Sequence, residues 1–108
     1  MRGGRLRKRV ILQRPVETQG DTGGVTISWV DVATVWAGVE PLRGREYESA
    51  RAQNAETTHR IVLRFRDDIQ RTWRLRLQNS TRYYRIDEML NIDERNREVQ
   101  IRATELEG

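Results

Sequence analysis

A chain of 108 residues, 36% hydrophobic and 33% charged, has material for one small domain around a thin core. With no cysteine and one histidine, it excludes disulfide staples, thiolate chemistry and a histidine-built metal site. The formal net charge of +4 is carried by arginine, with Lys8 the sole lysine; 16 acidic residues offset most of it, so the balance suits charged interfaces near nucleic acid as well as it suits a GC-rich genome.

The chain opens on "MRGGRLRKR", of which residues 1–4 are expected to form a flexible basic N-terminus. No apolar stretch suited to a signal peptide follows, and no run approaches membrane-spanning length, so a soluble protein made in the cytoplasm is expected. From there the dominant period is two. Leu6, Val10 and Leu12 share one face, opposite Arg5, Arg7 and Arg9. "QGDTGG" supplies the glycines and aspartate of a tight hairpin. Val25, Ile27 and Trp29 align in the next run, and Val35, Ala37 and Val39 in the one after it.

Leu42 to Ala55 interrupts this pattern. It holds helix formers, with Tyr47 and Ala50 three apart, but its apolar face is small and a helix this short is marginal without packing partners. The segment is expected either to dock on the sheet through Tyr47 or to protrude and become ordered on a partner. Alternation then resumes. Ile61, Leu63 and Phe65 oppose Arg60, Arg64 and Arg66; Trp73, Leu75 and Leu77 oppose Arg74 and Arg76. Tyr84 and Ile86 share a side, as do Val99, Ile101 and Ala103. "RDDIQ", "QNST" and "DERN" read as polar turns. The pattern predicts a mainly β fold: a small antiparallel barrel or sandwich of about six to seven strands, with a long loop or short helix inserted at about 42–55.

Catalytic chemistry finds little support. His59 stands at the entry of a strand with no serine elbow nearby, and reads as structural. The neighbouring carboxylates Asp67–Asp68, Asp87–Glu88 and Asp93–Glu94 point to opposite faces or lie in turns, unlike acid–base pairs that converge from separate positions. No phosphate-binding or dinucleotide fingerprint is present. Trp29, Phe65 and Trp73 fall on apolar faces, whereas Trp36 falls on the face opposite Val35 and Val39 and is a candidate protein contact, as is His59. A stand-alone nucleic-acid-binding barrel is the alternative, with Arg60, Arg64, Arg66, Arg74 and Arg76 tracking a backbone.

The run from Trp36 to Leu42 (Trp-Ala-x-Val-x-Pro-Leu), then Gly44-Arg45-Glu46, then Glu56 leading to Thr58-His59-Arg60-Ile61, and the closing "RYYRIDEMLNIDERNREVQIRA" resemble the tailed-phage head-tail joining family, also called head-closure or stopper proteins. The likeness spans about Gly4 to Ala103 and rests on order and spacing. One departure is "NSTRYY" where the family often has a glycine-rich turn. The resemblance implies a structural virion protein, with no cofactor, metal or catalytic residue. It implies a small barrel with a long inter-strand loop, assembled as a homo-oligomeric ring, hexameric or dodecameric, in the head-tail connector of a phage, prophage or gene transfer agent. Implied partners are the portal and adaptor ring above, a tail terminator or tail tube protein below, and packaged double-stranded DNA, with assembly in the host cytoplasm and no membrane. Within that picture Arg43, Arg45, Glu46, Tyr47, Glu48, Arg51 and Glu56 form a channel or inter-subunit loop. Arg43, Arg45 and Arg51 would be closest to DNA, Tyr47 would anchor the segment, and the glutamates would balance its charge.

Overall fold

The computed structural model describes residues 7–91 and 97–107. Residues 1–6, with Arg5 and Leu6, and all of "DERN" lie outside them. Six strands are present among the described residues: β1 (Lys8–Gln19), β2 (Val25–Pro41), β3 (His59–Arg64), β4 (Arg74–Leu77), β5 (Arg82–Asn91) and β6 (Glu98–Glu107). They form a closed antiparallel barrel in the order β1-β2-β3-β6-β5-β4, and β4 returns to β1 through Val10↔Leu77 and Leu12↔Leu75. One helix, α1 (Gly44–Gln53), is inserted between β2 and β3.

Alternation dictates the core. Val10, Leu12, Ala37, Ile61, Leu63, Trp73, Leu75, Tyr84, Ile86, Val99, Ile101 and Ala103 point inward and are buried; Val35, Val39, Phe65, Leu77 and Met89 pack against them. Closure is what lets a chain this polar build a core, because each strand gives half its side chains to one shared interior. The tight turn also follows from its sequence. The Gly23 amide donates to Gly20 O at 3.1 Å and the Gly20 amide to Gly24 O at 2.7 Å, with Gly23 at φ 83°. That is a type I turn closed by a left-handed glycine, a common three-residue hairpin. In "NSTRYY", Asn79 takes φ 62°, the conformation a glycine would supply, and Ser80 Oγ accepts the Arg82 amide at 3.1 Å. Asparagine tolerates this region, so the β4–β5 reversal forms without glycine.

β2 departs from the two separate strands that alternation predicts. The two runs expected as separate strands are one strand of 17 residues. Its register with β1 shifts between Leu12, paired with Ala33, and Gln13, paired with Asp31, leaving Val32 as a bulge. One inserted residue turns the preceding side chains to the other face. Val25 and Ile27, expected inside, are therefore 62% and 55% exposed, and Trp29 lies half-buried on the outer wall. Beyond the bulge the two strands leave the barrel. β1 pairs β4 only over Val10–Gln13, and β2 pairs β3 only over Ala37–Pro41. Among the described residues, Arg14–Gln19 and Val25–Val30 pair only with each other, a two-stranded ribbon arm about 20 Å long.

Candidate functional site

The inserted helix is weak in itself. Its cap residue, Arg43, makes no side-chain cap bond, Gly44 opens it at φ 58°, and ten residues give few internal hydrogen bonds. Tertiary contacts hold it. Glu46 and Ala50, four residues apart, share the face turned to the barrel. Arg60 Nη1 donates to Glu46 Oε2 at 2.5 Å, its Nη2 donates to Glu40 Oε2 at 2.6 Å, and Gln100 Nε2 reaches Glu46 Oε1 at 3.5 Å. The two glutamates hold the Arg60 pKa above its ordinary value, with the Glu40 hydrogen bond the largest cause. The helix thus lies over the outer faces of β3 and β6. Val62, paired with Gln100 there, is only 4% exposed. Leu42 and Ala50 are buried, whereas Tyr47 is exposed and carries the Arg51 guanidinium 5.1 Å above its ring. The anchor is therefore Leu42 and Ala50 with the Glu46 ion pair, not Tyr47: a residue three positions before Ala50 faces partly sideways on a helix.

The other end of the helix is fastened by a residue that alternation alone hides. β5 has its own register shift, between Ile86 and Glu88, leaving Asp87 as the extra residue. Its carboxylate accepts Thr57 Oγ1 at 2.7 Å, Thr104 Oγ1 at 2.6 Å and Arg85 Nε at 3.0 Å, and its carbonyl accepts Arg71 Nη2 at 2.8 Å. Arg85 also donates to Glu56 at 2.8 Å. Thr57 is fully buried, so the hub pins the return from α1 into β3. The signal in the sequence is spacing. Inward residues Tyr84, Ile86 and Met89 are two and then three apart, and a step of three in a period-two run marks a bulge.

The expected site residues separate by direction. Glu46 and Glu56 turn back to barrel arginines, Arg60 and Arg85. Arg43, Arg45 and Glu48 are exposed, and Arg51 is half-buried on the same outer surface of α1. Three arginines there face one glutamate, so the outer surface of the helix is basic. Trp36 is 50% exposed, with Arg9 stacked 4.8 Å above its ring, as its outward position predicts. His59 Nδ1 lies 2.8 Å from Thr58 Oγ1, which also accepts the Glu105 amide at 3.0 Å, and its Nε2 is 4.0 Å from the Glu105 carboxylate. Burial pulls the His59 pKa below its ordinary value, outweighing the upward pull of Glu105. The ring packs edge-on to Tyr84, 5.4 Å away, beneath the strand entry.

The arginine rows expected to track a nucleic-acid backbone are mostly engaged. Arg60 is paired as above, and Arg66 forms a two-point pair with Asp68 at 3.0 and 2.8 Å. Arg74 lies between Trp29 and Tyr83, 4.3 and 4.5 Å from their rings, and donates to Gln13 Oε1 at 2.7 Å; Gln13 in turn donates to Asp31 at 2.7 Å. Trp29, expected on an apolar face, shares the face of Arg74 because the bulge moved it outward. This stack roots the ribbon arm on the barrel. Among the described residues no group of histidines and carboxylates has metal-ligand placement, and no helix is long and apolar enough to cross a membrane.

Much of the polar surface of this closed barrel goes to holding an inserted helix and bracing a projecting arm. The family model for phage head completion proteins matches residues 1–106. The chain belongs to that family, and is a structural protein of the phage head. It is similar to a protein of Shigella flexneri 2a solved in solution, with 32% identity and a TM-score of 0.78 over 97% of this chain and 96% of that one. A chain in the virion of a native gene transfer agent particle shares the fold, with a TM-score of 0.63 and 19% identity over 96% of this chain and 98% of that one. No curated protein matches.

Proposed function

We propose that this chain is a ring subunit of the head-tail connector, closing the channel beneath the portal after packaging and presenting a docking surface for the tail. The observation that carries the reading is the direction of charge on α1. Glu46 and Glu56 are drawn back to Arg60 and Arg85, and Arg43, Arg45 and Arg51 are left outward against Glu48 alone. A ring of such helices presents a basic collar to DNA without a deep binding groove. Few phosphate contacts per subunit, screened at physiological salt, hold DNA loosely enough for it to slide out on ejection. Copies of the chain are the lateral partners, the portal and adaptor ring lie above, the tail terminator or tube lies below, and assembly takes place in the host cytoplasm.

Charge reversal at exposed positions tests this without disturbing the barrel. Particles carrying Arg43→Glu with Arg45→Glu are expected to fill but to lose DNA from tailless heads, measured as nuclease-sensitive DNA per head. Retention equal to the wild type rules out the basic collar. Removal of Arg45–Asn54 is the harsher version, expected to lower the yield of tailed, infectious particles.

A further inference from the structure

We infer that the ribbon arm is a docking element for a second copy of this chain: the Val25–Ile27 face of one arm seats on the Arg9–Trp36 wall of the next barrel. Two apolar side chains more than half exposed side by side on one face are an apolar patch that so thin a ribbon has no means of burying. The arm also has two free strand edges, open to pairing with another chain.

Charge selects the occupant. The charged residues of the arm are Arg14, Glu17 and Asp21; Glu17, paired with Ile27, shares the face of Val25 and Ile27, whereas Arg14 is on the opposite face, so the docking face carries negative charge in a chain whose net charge is +4. An acidic face is repelled by nucleic acid and by anionic membranes, and it complements a basic surface with an apolar centre. The chain supplies one: Trp36 is half exposed beneath the Arg9 guanidinium, and Arg64 is exposed on the neighbouring strand, next to Leu63, the partner of Ala37. A molecule cannot bring the two together by itself. Ile27 and Trp36 lie on one extended strand, roughly 30 Å apart. The two patches differ, so the contact is head-to-tail, and repetition with the right rotation closes a ring. Closure into a ring, rather than an open filament, rests on the function proposed above; the docking itself does not.

The absence of cysteine makes the test direct. Gln19 lies on the Val25 side of the arm and Thr34 on the Trp36 side of the wall, and both are exposed. Full-length Gln19→Cys and Thr34→Cys variants, folded by circular dichroism, are mixed under mild oxidation. Disulfide dimers in the mixture and not in either variant alone are the expected result. Gln19→Cys dimers equal to those of the mixture, or no mixed dimer at about 1 mM protein, overturn the proposal. Sedimentation gives a second reading: Ile27→Asp is expected to weaken self-association at least about tenfold, and unchanged association contradicts the contact. If docking fails while particles still hold the protein at the portal exit, the arm contact alone is wrong and the connector role stands.

Discussion

Asp87 shows how much one carboxylate can organise when a bulge turns it sideways. Its oxygens satisfy two hydroxyls, on Thr57 and Thr104, that are 1% and 6% exposed, and orient Arg85. Truncation would leave both hydroxyls without an acceptor. Asp87→Ala is expected to destabilise the protein by about 2–3 kcal/mol in a denaturant titration, and a loss under about 0.5 kcal/mol would show that the network is ornamental. Alternation hides this residue: neighbours on a regular strand point to opposite faces, so the Asp87–Glu88 pair reads as converging on nothing. The bulge breaks that premise. The place of His59 at a strand entry is legible from the alternation that follows it, and there it meets Thr58, Glu105 and Tyr84.

At the level of elements, α1 and the arm are positioned by opposite means. The helix rests on the barrel through one ion-paired arginine and two small apolar contacts; the arm continues two barrel strands and is braced where Arg74 stacks between Trp29 and Tyr83. Their stabilities should therefore separate. Arg60→Ala removes the Glu46 tether and is expected to raise amide exchange in Gly44–Gln53 by roughly tenfold, about 1.4 kcal/mol of local stability, while leaving β3 and β6 protected. Equal loss of protection in helix and strands would mean that the two unfold together. The inward strand faces could be read because one buried face enforces alternation. The bulge at Val32 could not be read from apolar spacing, since valines and alternating apolar residues run through it on both sides. The one clue was Asp31, a carboxylate at what alternation would make a core position. The direction of the helix face was likewise hidden. Which of Tyr47 and Ala50 turns inward depends on where Glu46 finds Arg60, fourteen residues away, and that pairing belongs to the folded barrel.

For the whole molecule, barrel closure answers a shortage of apolar residues. Six strands sharing one interior give the chain a core, and most of the large apolar side chains left exposed among the described residues lie along β2, at Val25, Ile27, Val30, Val32 and Trp36. The barrel class was legible from strand number, short turns and charge on the outer face; the strand order was not, because pairings such as β3 with β6 are set by contacts distant in the sequence. Membership of the phage head completion family makes the molecule a part of a particle, and its place in that particle is the central claim. Electron microscopy of DNA-filled heads, made with and without this protein, tests it most directly. A ring of extra density at the portal exit, with α1 on its inner rim, is the predicted result; identical portal exits in the two preparations would contradict it.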